Sequence, residues 1–272
     1  MTRLPRPDGW GLGQLCWGHW NRYFKARIDH VVRSGVTNSH RPEGDAGLHF
    51  SDQSYLGFAI VEELLKRNWS VIGTVREGKR TKLHELAEKW NAKLRIQYLD
   101  MTIPTQIEGL KSKLNGESLD LLFVNAGVGN DKGMQETIGE ISTEEFVRVM
   151  VTNTLSPMRV LENLTENVRR GGIVGVMSSG QGSVADNENG GNDVYRASKA
   201  ALNMIMRSFA VRKGKDRALL LLAPGWIKTD LGGPAAKFTV EEVIGDIVDT
   251  IVAQEGETGL RYLDRFGKPV RW

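Results

Sequence analysis

The stretch His49–Arg76, HFSDQSYLGFAIVEELLKRNWSVIGTVR, carries the pattern that decides the fold class. Apolar residues recur at helical spacing from about residue 55 to 67, and an apolar segment, Ser70–Val75, follows directly. A helix that leads into a buried strand is typical of the first βαβ unit of an α/β sheet, whose opening turn can hold a nucleotide. Such a turn normally has three glycines, and here only Gly57 remains.

The alternation of strand and helix continues through the rest of the sequence. Strands are predicted, weakly at 46–50 and clearly at 70–75, 94–100, 119–127, 171–179, 218–223 and 260–264. Helices are predicted at 55–67, 80–92, 105–114, 142–168, 193–213 and 239–253. Because apolar strands alternate with helices, we predict an α/β fold with a doubly wound parallel sheet (Rossmann-like) and ligand binding beyond the carboxyl ends of the strands.

Composition excludes several classes of protein. The 272 residues are 40% hydrophobic, which suits a single globular domain with a substantial core. The single cysteine, Cys16, excludes an internal disulfide framework and offers no cluster for a structural zinc, so we predict no metal site and a reducing, cytoplasmic location. No apolar run approaches the ~20 residues that a membrane-spanning helix needs.

Residues 1–47 differ from the remainder. They contain seven of the 36 Lys and Arg residues and four of the 33 acids, so the rest is neutral overall, which argues against nucleic acid as its main partner. They show no sustained period, and we predict an irregular, atypical or disordered N-terminal extension followed by one domain at 48–272. A mobile extension, a transit peptide, a surface for membrane or RNA, and a misassigned first exon remain open as explanations.

The residues that carry chemistry lie in the second half of the chain. Tyr195 and Lys199 are four apart on a predicted helix and therefore share a face, and a predicted strand ending in Ser178 and Ser179 precedes that helix. A phenol titrates near ~10, a neighbouring ammonium stabilises its phenolate, and a serine hydroxyl can hold a carbonyl oxygen. This set suits proton donation during reduction of a ketone or aldehyde, which also requires a nicotinamide as the hydride source.

Over about residues 46–272 the sequence resembles the short-chain dehydrogenase/reductase family. The matching motifs are NAG at 125–127, SS at 178–179, YRASK at 195–199 and PGWIKTD at 224–230. The segment 178–204 and the ending YLDRFGKPVRW resemble more closely the C-factor and sniffer-like carbonyl reductases. The resemblance implies an NADP(H)-dependent oxidoreductase that acts on a small carbonyl compound and forms a homodimer or homotetramer.

The resemblance also implies catalytic roles for individual residues. Tyr195 would act as the general acid, and Lys199 would lower the pKa of Tyr195 and hold the nicotinamide ribose. Ser179, the second of the pair, would orient the substrate carbonyl, since Gly182 then falls where the family has its glycine. Asn153 would support a water-linked proton relay, or would simply be an exposed helical asparagine.

The implied cofactor-binding residues mostly follow the predicted strands. They are Leu56, Gly57, Arg76, Asp100, Met101, Asn125, Ala126, Gly127, Tyr195, Lys199, Pro224, Gly225, Ile227 and Thr229. Asp100 would meet the adenine region or only cap a helix, and Asn125 would tie the central strands together or only form a turn. Trp226 would shape a substrate lid with residues 230–238, or would lie in the core.

The end of the second strand favours NADP over NAD. A carboxylate there would bind both ribose hydroxyls of NAD, and Thr74 and Val75 have none. Arg76, followed by Lys79 and Arg80, suits the additional phosphate of NADP. A solvated basic turn is the alternative.

The altered turn before Gly57 leaves two hypotheses about function. Ser51 and Tyr55 occupy the places of the first two glycines, where a side chain at positive φ costs roughly 1–2 kcal/mol and where Tyr55 or Asp52 would hinder a diphosphate. The chain is therefore either an NADPH-dependent carbonyl reductase with an altered phosphate turn, or a non-catalytic relative that acts as a binding or scaffold protein. A serine hydrolase is disfavoured, because His84 is the only histidine beyond residue 50.

Overall fold

The computed structural model describes residues 30–31, 46–49, 55–78 and 80–272, the first two ranges as backbone only. The predictions that concern Ser51, Asp52 and Lys79, and most of those for residues 1–47, lie outside the described residues. No helix in the described ranges is long and apolar enough to cross a membrane.

A single sheet forms the centre of the described structure. Its strands are β1 (His30–Val31), β2 (Ala46–His49), β3 (Ser70–Val75), β4 (Leu94–Tyr98), β5 (Leu119–Val124), β6 (Val168–Met177), β7 (Ala218–Ala223) and β8 (Gly259–Asp264). Strands β2 to β8 are parallel and lie in the order β4–β3–β2–β5–β6–β7–β8, while β1 pairs antiparallel with β3. The predicted parallel sheet is therefore confirmed.

Helices cover both faces of this sheet. Within the described ranges the α-helices are α1 (Tyr55–Lys66), α2 (Lys82–Lys89), α3 (Pro104–Lys113), α4 (Thr143–Met150), α5 (Ser156–Leu164), α6 (Asp193–Lys213) and α7 (Val240–Val252). Helix α1 packs beside α2 and α7, whereas α5 packs beside α3 and α6. Two separate groups of contacting helices are what a doubly wound fold requires, and the predicted fold class is confirmed.

The long helix predicted at 142–168 is interrupted. Helix α4 ends at Met150, a π-helical turn occupies Val151–Leu155, and α5 continues to Leu164. Pro157, in the first turn of α5, has no N–H to donate, and the wider turn keeps the chain helical through a bond from Ser156 N to Val151 O. After a 3₁₀ turn at Thr165–Asn167, β6 begins at Val168 opposite Leu119, so the predicted extension of the helix to residue 168 is wrong.

Part of the segment predicted to be an irregular extension pairs with the sheet. In β1, His30 lies opposite Thr74 and Val31 lies opposite Gly73. Strand β2 begins at Ala46, before the predicted domain boundary at residue 48, and pairs with both β3 and β5. The sheet therefore includes residues on both sides of that predicted boundary.

Close packing between β5 and β6 depends on a glycine. Phe123 on β5 is completely buried, and its partner in the register is Gly175 on β6. A Cβ atom at position 175 would lie 2.4 Å from Phe123 Cδ2. The aromatic ring thus occupies the space that any larger residue at position 175 would need.

We predict that Gly175→Ala lowers the free energy of unfolding by about 1–3 kcal/mol, because the added methyl group overpacks the core against Phe123. Urea unfolding measures this change. Gly109→Ala is the control, since position 109 is exposed on α3 with nothing within 4 Å of the added Cβ, and it should stabilise by about 0.5–1 kcal/mol. Equal effects of the two substitutions would contradict this account of the packing.

Candidate active site

The predicted catalytic residues meet at the carboxyl ends of the central strands. Strand β5 ends at Val124 and is followed by residues 125–127, and β6 ends at Met177 and is followed by Ser178 and Ser179. Helix α6 carries Tyr195 and Lys199. Because parallel strands all end at the same edge of a sheet, these segments lie together there.

Ser179, and not Ser178, faces Tyr195. The Ser179 side chain lies close enough to the Tyr195 phenol to lower the pKa of that phenol. Ser179 Oγ also accepts a bond of 3.1 Å from Gln181 N, because Ser179 is the N-cap of the 3₁₀ turn Gly180–Gly182. Ser178 Oγ instead donates a hydrogen bond to Asn203 Oδ1 at 2.7 Å. The structure therefore brings together the two residues that the sequence assigns to proton donation and carbonyl orientation.

Lys199 lies beneath this pair in a buried position. Its Nζ donates to Met177 O at 2.9 Å and lies 5.8 Å from the centroid of the Tyr195 ring. A Cβ atom at Gly127 would lie 3.3 Å from Lys199 Nζ and 3.4 Å from Asn153 Oδ1. The missing side chain at position 127 thus leaves an approach to the ammonium group from the end of β5.

The pKa shifts of Tyr195 and Lys199 are both dominated by burial. Burial raises the pKa of the Tyr195 phenol to about 12, although the Ser179 side chain acts in the opposite direction. Burial lowers the pKa of Lys199 to about 8. Lys199 is not among the described groups that shift the pKa of Tyr195, so the predicted lowering of this pKa by the ammonium group is not observed. A phenol with a raised pKa remains protonated at neutral pH, which is the form that a proton donor needs.

Asn153 lies in the π-helical turn and is completely buried, so the alternative of an exposed helical asparagine is wrong. Its Oδ1 accepts from Val128 N and its Nδ2 donates to Val128 O, both at 2.8 Å. The same Nδ2 donates to Ser198 Oγ at 2.9 Å, and Ser198 Oγ donates to Tyr195 O at 2.7 Å. Asn153 therefore ties the loop after β5 to the helix that carries Tyr195, and its part in a proton relay stays a prediction.

The residues predicted to meet the adenine half of a dinucleotide lie after β3 and β4. Arg76 follows β3 directly and is half-buried, while Arg80 is exposed and forms an ion pair of 2.7 Å with Glu88. Asp100 Oδ1 accepts a hydrogen bond from Thr102 N at 2.9 Å and so stabilises the turn before α3. This contact resembles the helix cap that was the alternative role for Asp100. The side chain of Met101 is fully buried in the core.

The start of α1 contacts the start of α7. Leu56 and Gly57 are buried in α1, whereas Tyr55 is exposed and donates its hydroxyl proton to the Glu241 carboxylate. Lys82 Nζ lies 5.7 Å from the centroid of the Tyr55 ring. Tyr55 is therefore engaged by α7 and α2, and the predicted obstruction by Asp52 lies outside the described residues.

At the end of β7, before the predicted lid, Pro224 is buried and Gly225 adopts a left-handed φ of 95°. Ile227 is buried and bridges to Phe238. Trp226 is 46% exposed and donates from Nε1 to Gly232 O at 2.8 Å, so the alternative of a core residue is wrong. The backbone N–H of Gly232 donates to Thr229 Oγ1 at 3.1 Å, and this contact holds the segment in a compact turn.

Several residues near the site were not predicted from the sequence. Tyr262 on β8 donates its hydroxyl proton to Ser179 O, and its ring lies 5.5 Å from that of Trp272. Trp272 O in turn accepts from Ala185 N at 3.0 Å. Asn203, one turn after Lys199 on α6, donates to Gly182 O at 3.2 Å. Asn203 could have been found from its helical spacing, whereas the contacts of Tyr262 arise only in the folded chain.

Known proteins resemble this chain over most of its length. The profile of the family described as enoyl-(acyl carrier protein) reductase matches residues 51–254. The C-signal protein of Myxococcus xanthus is 34% identical over 157 residues, which cover 57% of this chain and 93% of that protein. These matches confirm the resemblance to dehydrogenases and reductases that the motifs indicate.

Solved structures give the same result. A short-chain dehydrogenase/reductase from Burkholderia multivorans with bound NADP is 50% identical, has a TM-score of 0.80 and covers 86% of this chain and 100% of its own. A carbonyl reductase from Pseudomonas aeruginosa PAO1 in complex with NADP is 31% identical, has a TM-score of 0.73 and covers 80% of this chain and 94% of its own. The cofactor predicted from Arg76 is thus the one that these two similar proteins contain.

We predict that the pH dependence of stability changes in Lys199→Met. Between about pH 8 and 10.5 the unfolded chain binds a proton at Lys199 that the folded chain does not, because burial lowers the pKa of this residue to about 8. This residue therefore makes the wild type more stable as pH rises through that window. Relative to Lys199→Met, the unfolding free energy of the wild type should rise by up to about 3 kcal/mol.

Urea unfolding of both proteins at several pH values measures this difference. Subtraction of the two curves removes the groups that titrate alike in both proteins. Parallel curves between about pH 8 and 10 would contradict a depressed pKa for Lys199.

Proposed function

Because the chain belongs to the short-chain dehydrogenase/reductase family, we propose that it is an NADPH-dependent reductase of a ketone or aldehyde with Tyr195 as the general acid. The observation that carries the proposal is the placement of Ser179, at the end of β6, beside the Tyr195 phenol, one helical turn from a buried lysine. The bound NADP in similar structures and the names of the carbonyl reductases among them support it.

The described residues fit the nicotinamide end of the cofactor. Lys199 Nζ can donate three hydrogen bonds, and within the described residues it donates one to Met177 O. Gly127 places no side chain against this ammonium group, since a Cβ there would lie 3.3 Å from Nζ. In the proposal Lys199 and Gly127 accommodate the ribose, and Ile227 and Thr229 hold the carboxamide and phosphates. The chemistry that NADPH supplies when bound is a hydride.

The protein's own groups account for the proton. Ser179 Oγ holds the oxygen of the substrate carbonyl beside the Tyr195 hydroxyl. When the carbonyl carbon receives a hydride, the oxygen receives the Tyr195 proton and the product is an alcohol. The resulting phenolate is one helical turn from the Lys199 ammonium, whose charge then stabilises it. Asn153, linked to Tyr195 O through Ser198, keeps the phenol-bearing turn in place.

Preference for the phosphorylated dinucleotide is assigned to Arg76. This residue follows β3 directly, at the position where the 2′-hydroxyl or 2′-phosphate of the adenosine ribose lies in the family. Thr74 and Val75 before it have no carboxylate, and Thr74 is fully buried. A guanidinium group at this position therefore favours NADP over NAD.

A non-catalytic role is the second candidate, because Ser51 and Tyr55 replace two glycines of the phosphate turn. The buried residues around Tyr195 give this candidate less support, since a scaffold has no need of a buried lysine beside a phenol.

The proposal also includes self-association into a homodimer or homotetramer through exposed apolar residues of α4 to α6, among them Phe146 and Met204. Light scattering that finds only monomers would remove that part, and the cytoplasm remains the expected location.

We predict that Tyr195→Phe lowers kcat/KM for reduction of an aldehyde by about 10²–10⁴-fold, because the proton donor is lost. The Kd for NADPH, measured by its fluorescence, should change by less than about threefold. Tyr98→Phe is the matched control, since Tyr98 is exposed on β4, and it should leave both quantities unchanged.

Two results would contradict the proposed function. If wild-type protein neither quenches nor shifts NADPH fluorescence, the altered turn has removed cofactor binding and the non-catalytic role is favoured. If Tyr195→Phe keeps full activity, another group supplies the proton.

We predict that Arg76→Ser weakens NADPH binding by about 10–100-fold, the loss expected for a charge-assisted hydrogen bond to a phosphate. NADH, which has no 2′-phosphate, should bind the variant and the wild type alike. The control is Arg170→Ser, because Arg170 is exposed near the start of β6, at the opposite edge of the sheet. Titration of each protein with both dinucleotides measures the effect, and equal losses for NADPH and NADH would contradict the assignment.

A further inference from the structure

Asn192 has an unusual conformation beside the proposed active site. It is the N-cap of α6, and its backbone is left-handed, with φ 54° and ψ 41°. Its side chain is 8% exposed. Asparagine adopts this conformation more readily than most other non-glycine residues, and the two preceding residues with positive φ, Gly190 and Gly191, are glycines. A third glycine would be the least strained choice, so the side chain of Asn192 requires an explanation.

Helix capping does not explain this side chain. An N-cap asparagine normally has an extended backbone and accepts from the N–H of the second or third helical residue. Asn192 is left-handed and makes no such side-chain bond. Its Nδ2 instead donates to Gln181 Oε1 at 2.9 Å, and its Oδ1 has no hydrogen-bond partner in the part of the chain that the structure describes.

The unpartnered oxygen is part of a polar region between two loops. The segment 130–138 packs against residues 190–193 through bonds from Asn192 N to Met134 O and from Ile138 N to Asp193 Oδ2, each 3.0 Å. Buried atoms in these loops without partners among the described residues are Asn130 Nδ2 and Oδ1, Glu136 Oε2 and Asn192 Oδ1. A buried polar atom without a partner costs about 1–3 kcal/mol, and three of these four are acceptors.

Two hydrogen bonds connect Asn192 to Ser179 of the proposed catalytic pair. Asn192 Nδ2 donates to Gln181 Oε1, and Gln181 N donates to Ser179 Oγ at 3.1 Å, while the Ser179 side chain lies close enough to Tyr195 to lower its pKa. Asn192 and Tyr195 are also neighbours at i and i+3 in the first turn of α6. The position of the Asn192 amide is therefore fixed relative to the groups that hold the reacting carbonyl.

We propose that Asn192 Oδ1 accepts a hydrogen bond from a hydroxyl or amine group that the substrate carries near its reacting carbonyl. The substrate class is then a small hydroxy ketone, hydroxy aldehyde or amino analogue. This inference rests on the proposed function, since Tyr195 and Ser179 place the carbonyl. A site built to bind a hydroxyl group discriminates strongly against the analogue without it, because its buried acceptor is then left unpaired.

The test compares three ketones with NADPH: butan-2-one, 1-hydroxybutan-2-one and 4-hydroxybutan-2-one. The variant is Asn192→Gly, which removes the side chain and suits the left-handed backbone. The control is Asn189→Gly, the same substitution at an exposed position of the same loop. Wild-type protein should prefer at least one hydroxy ketone by roughly tenfold or more in kcat/KM. Asn192→Gly should bring that ratio to about one, and Asn189→Gly should keep the wild-type ratio.

The possible failures are distinguishable. Turnover of butan-2-one without preference for either hydroxy ketone would overturn the role of Asn192 and leave the proposed function intact. The same holds if Asn192→Gly lowers kcat/KM equally for all three ketones, which indicates a structural role. If wild-type protein reduces none of the three, this inference fails, and the NADPH fluorescence titration and the Tyr195→Phe assay with an aldehyde decide separately whether the proposed function stands.

Discussion

The structure around the proposed site depends on one constraint, the burial of the Lys199 side chain. Its ammonium group needs an acceptor, and Met177 O at the end of β6 provides one. Two loops contact this side chain through glycines, because a larger residue would not fit there. A Cβ at Gly127 would lie 3.3 Å from Lys199 Nζ, and a Cβ at Gly182 would lie 3.0 Å from Lys199 Cβ. The ends of β5 and β6 and the first turns of α6 thus have fixed relative positions. Because Tyr195 lies in the first turn of α6, its position is fixed as well.

Much of the fold could be predicted from the sequence, because its strands are continuous apolar runs. The bounds of β3, β7 and α6 agree with the predicted ones residue for residue. The π-helical turn could not be predicted, since it depends on a contact distant in sequence, that of Asn153 with Val128. For the same reason β6 begins at Val168 rather than at residue 171: its first residue pairs with Leu119, which no local pattern indicates.

The identity of the central site residues could also be predicted, whereas their environment could not. The spacing of Tyr195 and Lys199 on one helix, and of Ser179 after a strand, is visible in the sequence. The direction of the Tyr195 pKa shift is not, because burial involves atoms from many segments and outweighs the effect of the Ser179 side chain. Gln181 and Asn192 are eleven residues apart, and their contact requires the folded loop.

Trp272 connects the last strand of the sheet to the segment that carries Ser179. Its carbonyl oxygen binds Ala185 N, and its ring lies against Tyr262, whose hydroxyl binds Ser179 O. An affinity tag or fusion partner joined after Trp272 would emerge beside that segment, and a pulling force on it would reach the serine through two side chains. For immobilisation on a sensor surface, the exposed loop at 115–118 is the better point of attachment, because it precedes β5 and so lies at the opposite edge of the sheet.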